Sequence, residues 1–162
     1  MSLLLHLLCL LGVAAGSEGV KLQRGSCPMF WYSFSGRCYK YVATDMNWAD
    51  AELHCVSQGA NLVSVHSAGE FNFVQNLIQN FDPAMRFTWI GLSDIHKENG
   101  WMWSDGSKVV FTRWNAGQPD NFQSEHCVSA NHPEGSGWND YNCSEMLPFV
   151  CKSRVSEKKP AL

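Results

Sequence analysis

The chain is short of charge: 17% of its 162 residues are Asp, Glu, Lys or Arg, and they sum to −3. A nucleic-acid binder needs a basic face, so this balance argues against one. No CxxC occurs, which removes the basic unit of zinc ribbons and thioredoxin-like redox sites. The six His form no HExxH or HxxxH pair, so a zinc-hydrolase reading has no support. There is no GxSxG, P-loop or GxGxxG segment, which leaves a hydrolase or a nucleotide enzyme without a motif. No apolar run reaches the roughly 18 residues of a membrane span, so no membrane anchor is expected.

What is present points outward from the cell. Residues 3–15 read LLLHLLCLLGVAA, an apolar stretch of signal-peptide length followed by small and then polar residues. Cleavage after Ala15 or Gly16 fits, although the segment before the apolar run carries no Lys or Arg. The expected division is a signal peptide at 1–16, a short N-terminal segment at 17–26, a domain at 27–152 and a polar tail at 153–162. Cleavage would remove Cys9 and leave an even set: Cys27, Cys38, Cys55, Cys127, Cys143 and Cys151. In a secreted chain that set implies three disulfides, with 15 pairings open from sequence alone. With no Cys left over, a covalent dimer is not expected.

Periodicity organises the first half of the domain. Aromatic and β-branched residues flank Ser35-Gly36, which predicts a hairpin. Asn47 caps a predicted helix with an inner face of Trp48, Ala51, Leu53 and Cys55, ended by Gly59. Ser67 and Glu70 form a capping-box pattern before a second helix. There Phe71, Val74, Leu77, Ile78 and Phe81 recur at helical spacing, and Pro83 stops the run. Strands are expected at 87–92 and 148–151. Residues 93–142 are instead rich in Gly, Asn, Asp, Ser and Trp with little period. A long irregular stretch within a compact domain is usually functional or disordered, and its aromatics argue against disorder.

That stretch carries three groups of oxygen side chains: Gln118-Pro119-Asp120, then Glu125, then Trp138-Asn139-Asp140. Gln118, Asp120, Glu125, Asn139 and Asp140 together offer carboxylate and amide oxygens, the donors that hard Ca²⁺ takes about 6–8 at a time. A Pro between two ligands can hold both on one side if its peptide bond is cis. Each group alone is a common surface sequence. Together, with Glu125 two residues before Cys127 and Asp140 three before Cys143, they are specific.

These residues, with Cys27, Cys38, Cys55, Trp89-Ile-Gly-Leu92, Trp101-Met-Trp-Ser-Asp-Gly106 and Cys151, resemble the C-type lectin-like domain family. The resemblance covers roughly Cys27 to Lys152. The one-domain form looks like fish plasma, mucus and venom lectins and the related type II antifreeze proteins. It implies an α+β fold with two helices, two small antiparallel sheets and a long calcium-binding loop. It implies the pairs Cys27–Cys38, Cys55–Cys151 and Cys127–Cys143. In this family the order Gln-Pro-Asp goes with galactose-type hydroxyls and Glu-Pro-Asn with mannose-type ones. The implied partner is therefore a galactose-terminated glycan, held by Ca²⁺ with Gln118, Asp120, Glu125 and Asn139, and stacked on Phe122 or, second, Trp138. Asp94 and Glu98 match the acids of an auxiliary calcium site, although Asn121 and His126 stand where further acids are usual. His126, next to Glu125, would make calcium binding acid-sensitive. Asn142-Cys143-Ser144 is a formal sequon, left unused if Cys143 is bridged.

The resulting expectation is a secreted lectin without catalysis, acting on cells or microbes as a non-covalent homo-oligomer. An ice-binding protein and a venom-type protein-binding module are the alternatives.

Overall fold

A computed structural model describes residues 21–131 and 136–155. The expected signal peptide, His132 and the Lys158-Lys159 tail lie outside the described residues. No described helix is long and apolar enough to cross a membrane.

In chain order the elements are β1 (Tyr32–Phe34), β2 (Arg37–Met46), α1 (Trp48–Ser57), β3 (Ala60–Leu62) and α2 (Ala68–Phe81). They continue with β4 (Thr88–Ser93), β5 (Met102–Trp103), β6 (Cys127–Ala130), β7 (Asn139–Tyr141) and β8 (Leu147–Ser153). The predicted hairpin turns at Ser35-Gly36, both with positive φ, and pairs β1 with β2.

The Asn47 side chain accepts from the Asp50 N–H at 2.8 Å, so the cap forms as its sequence position requires. α1 buries Trp48, Ala51 and Cys55. Leu53, expected on that face, is 65% exposed. It lies five residues after Trp48, well over a third of a turn from the buried stripe. α2 starts on Ser67, whose hydroxyl accepts from the Glu70 N–H at 3.1 Å. Its inner face holds Phe73, Val74, Leu77 and Ile78. Phe71 is half-buried, and Phe81 is largely exposed while stacking on Tyr41 at 6.0 Å. Glu70, buried in the first turn of α2, is matched by Lys152 and by the Tyr39 hydroxyl, which keeps a charge inside the core compensated.

Two antiparallel groups are present, as the resemblance implies: β1, β2, β8 and β3, and β4, β5, β6 and β7. They are not separate. β4 runs parallel to β8 through Trp89 and Phe149, so the strands join into one mixed sheet. The core lies between this sheet and the helices, around Leu77, Ile78, Ile90, Leu92, Val128 and Val150. Gly91 is required there: a Cβ on it would stand 2.7 Å from the Leu62 carbonyl oxygen. The Trp48 and Trp89 indoles donate to Ile90 and Met46 carbonyls, both at 2.9 Å, so these buried N–H groups are satisfied.

The disulfides join Cys27–Cys38, Cys55–Cys151 and Cys127–Cys143. Each is worth about 2–4 kcal/mol in a typical secreted domain. The last one clamps β6 to the turn after β7, which is where the irregular stretch returns to the sheet.

Candidate functional site

Residues 104–126 contain no regular strand or helix, and packing on one indole holds them in place. Trp138 is 1% exposed and meets Trp103, Phe111 and Trp114 at centroid distances of 5.6, 6.0 and 6.1 Å. The backbone reinforces this packing: Trp138 donates to the Arg113 carbonyl at 2.8 Å, and Asn115 donates to the Trp138 carbonyl at 3.0 Å. Trp138 is therefore a loop anchor. It has no face left for a sugar, which corrects its place among the stacking candidates. Phe122 is 62% exposed and remains available.

Asp140, on β7 and 2% exposed, organises the loop end. Its carboxylate accepts from the Asp120 N–H at 3.1 Å and the Asn121 N–H at 2.7 Å. The Gln118–Pro119 peptide is cis, and the Gln118 amide donates to the Asp120 carboxylate at 3.2 Å across it. Asn121, Gln123 and Ser124 all have positive φ, so the chain coils tightly between Asp120 and Glu125.

The result is a cluster in which one carboxylate oxygen each of Asp120, Glu125 and Asp140 lies within 4.8 Å of the others. Burial raises the Glu125 pKa, and the negative charges of Asp140 and Asp120 raise it further, to about 7. Asp140 is also raised, by burial first, against the lowering effect of backbone hydrogen bonds from Asn121, Asp120 and its own N–H. Such a set is unfavourable alone and becomes favourable around a cation.

The donor chemistry fits Ca²⁺. Every side-chain donor in the cluster is a hard oxygen, and the Gln118 amide oxygen beside it is buried without a hydrogen-bond partner. The Asn139 amide oxygen accepts from Asn115 at 2.7 Å. Asn115, which also receives the Gly137 N–H at 3.0 Å, orients Asn139 and was not singled out from the sequence. It lies 24 residues away in the chain, with no local pattern to mark it.

A second cluster holds Asp94, Glu98 and His126. Here His126 Nδ1 stands 3.0 Å from Asp94 and 3.5 Å from Glu98. The other Asp94 oxygen accepts from the Asn99 N–H at 2.9 Å. Both acids expected to hold an auxiliary calcium are thus engaged by the chain itself. His126 faces these acids, so the structure does not support its expected role in acid sensitivity at Glu125.

A cleft of about 560 Å³ lined by Arg37, Asn61, Asp105 and Arg154 shares no residue with either cluster. Its charged groups have partners within the chain: Asp105 with Ser64 and Ser107, Arg154 with Asn61, and Arg37 with the Ser153 carbonyl.

Comparison with known proteins identifies the family. The family profile described as the lectin C-type domain matches residues 44–153. The galactose-specific lectin nattectin of Thalassophryne nattereri is 38% identical over 152 residues, covering 93% of this chain and 94% of that protein. The type-2 ice-structuring protein of Osmerus mordax is 39% identical over 140 residues, covering 86% and 77%. Among solved structures, the C-type lectin CEL-I from Cucumaria echinata superposes with a TM-score of 0.75 at 37% identity, covering 78% of this chain and 96% of that one.

Proposed function

The chain belongs to the lectin C-type domain family, and on that premise we propose that it is a secreted, Ca²⁺-dependent lectin for galactose-terminated glycans, with no catalytic activity. The observation that carries the reading is the convergence of the Asp120, Glu125 and Asp140 carboxylates, where burial first and then the neighbouring negative charges push Glu125 up to about 7. Gln118, Asp120, Glu125, Asn139 and Asp140 would hold the ion. Calcium supplies a positive charge to which two vicinal sugar hydroxyls can each give a lone pair.

The chain's own residues then select the sugar. Each coordinated hydroxyl keeps a proton to donate and a lone pair to accept with. Amides donate and carboxylates accept, so the order of Gln118 and Asp120 around the proline sets which hydroxyl geometry is matched. Phe122 offers an exposed ring for the apolar face of the sugar. A single sugar held this way binds weakly, so agglutination of cells or microbes requires several sites in a non-covalent oligomer.

The test is to exchange the two residues in one variant, Gln118→Glu with Asp120→Asn. Preference should move from galactose toward mannose in competition for a galactose-coated surface. Unchanged preference contradicts the assignment of specificity to this pair.

A second reading, ice binding through the same loop, is favoured by the similarity to the ice-structuring protein. Thermal hysteresis at millimolar protein, without retention on galactose, would select it.

A further inference from the structure

Next to the carboxylate cluster lies a cleft of about 340 Å³ lined by Phe122, Gln123, Glu125, Tyr141, Asn142 and Glu145. Its size falls at the lower end of ligand pockets, about 300–1,000 Å³. It shares Phe122 and Glu125 with the proposed sugar site, so a glycan seated on the ion need not leave the surface to enter it.

The walls are fixed. Asn142 to Glu145 form a turn in which Asn142 Oδ1 accepts from the Ser144 N–H at 2.9 Å and its carbonyl accepts from the Glu145 N–H at 3.0 Å. Cys143 within that turn is bridged to Cys127, and its carbonyl accepts from the Trp48 N–H at 3.1 Å. The Tyr141 ring is held edge-on by Phe87 at 5.5 Å and lies 6.2 Å from Trp89. This leaves the Asn142 amide free to donate and the Glu145 carboxylate free to accept.

The charge of the cleft has one sign. Its lining contains Glu125 and Glu145 and no Lys, Arg or His.

We propose that this cleft is a second sugar subsite, which takes an uncharged residue linked to the terminal galactose and rejects an anionic one. The proposal rests on the galactose reading above. A terminal galactose that gives its 3- and 4-hydroxyls to calcium is joined to the rest of the glycan through its anomeric carbon, so the next ring leaves from there. In the cleft that ring meets the Asn142 amide, the Glu145 carboxylate and the Phe122 ring. A sulfate or carboxylate on it would face the Glu145 carboxylate with no Lys, Arg or His in the lining to offset it, Glu125 being engaged by the ion, so selectivity comes from repulsion as well as contact.

Calorimetric titration in saturating Ca²⁺ tests this with three probes: methyl β-galactoside, lactose, and lactose sulfated on its glucose. Lactose should bind about fivefold tighter than the methyl glycoside, the worth of one added net hydrogen bond. The sulfated disaccharide should lose that advantage. Glu145→Lys, at an exposed position, should make the sulfated form the better ligand, and Asn142→Ala should lower the lactose-to-methyl-galactoside affinity ratio. Equal affinity for all three probes, unmoved by Glu145→Lys, overturns the subsite while leaving the galactose reading intact. No binding of methyl β-galactoside by the unaltered protein overturns the galactose reading itself, and the subsite with it.

Discussion

Adjacent residues Glu125 and His126 contribute to two different clusters, and the clusters meet the same problem in opposite ways. Around Glu125 the neighbours are Asp120 and Asp140, and burial together with their negative charges pushes the Glu125 carboxyl up to about 7. Around His126 the neighbours are Asp94 and Glu98, and the imidazole stands 3.0 Å from the first and 3.5 Å from the second. The first cluster is built of carboxylates alone, whereas the second includes an imidazole.

The most direct way to break this contrast is to remove a ligand from the first cluster. Asp140→Asn keeps the size but loses one charge and weakens the two backbone contacts that hang the loop. We expect Ca²⁺ affinity to fall by roughly 100-fold and galactose retention to vanish, as loss of charge-assisted hydrogen bonds and a ligand together implies. Calorimetry checks the first effect and an affinity column the second, while far-UV circular dichroism should be unchanged. Calcium affinity equal to the unaltered chain would place the ion elsewhere.

The contrast can also be reversed. His126→Asp would give the second cluster the composition of the first. Calcium stoichiometry by calorimetry should rise from one ion per chain to two, and the calcium-free protein should melt lower and recover when calcium is added. A stoichiometry that stays at one would mean that geometry, rather than the imidazole, keeps calcium out.

The raised Glu125 pKa has a signed consequence for the calcium-free protein. Between the ordinary Glu value of 4.5 and about 7 the folded chain binds more protons at this group than the unfolded chain does. Stability from this group therefore falls as pH rises through that window. The melting temperature should drop between about pH 5 and pH 8 without calcium, and Glu125→Gln should flatten that dependence. Calcium must displace the same proton, so its affinity should be weaker at pH 6 than at pH 8, by about the extent of protonation. A pH-independent calcium affinity would contradict the clustering of the three charges.

The smallest effect is expected at the ring. Phe122→Ala should weaken galactose binding about threefold to tenfold, the scale of an aromatic contact. Calcium binding should be untouched. Loss of calcium as well would show that Phe122 shapes the loop and is not simply a sugar platform.

Much of the fold was legible because it is local. α2 follows from a cap at Ser67 and a repeating apolar stripe, and the hairpin follows from Ser35-Gly36 between aromatic residues. The α1 face was misjudged at Leu53, where hydrophobicity suggested burial and helical geometry placed the residue outside. The site was legible as an inventory of oxygen side chains near two cysteines. What joins those side chains was not. The Asn115–Asn139 contact spans 24 residues and the Asp94–His126 pair spans 32, with an irregular loop between the partners in each case. Trp138 was visible as part of a ligand-bearing tripeptide, yet its burial depends on Trp103, Phe111 and Trp114 converging from separate parts of the chain. Periodicity carries information about faces of elements. It carries none about which distant loop a side chain will meet.

If the Asp120, Glu125 and Asp140 cluster holds calcium, galactose is held through that ion. Retention on immobilised galactose, with and without EDTA and with free mannose as competitor, tests it most directly. Retention in calcium, release by EDTA and little displacement by mannose are the expected results. Passage through the column in saturating calcium, or retention that survives EDTA, would contradict it.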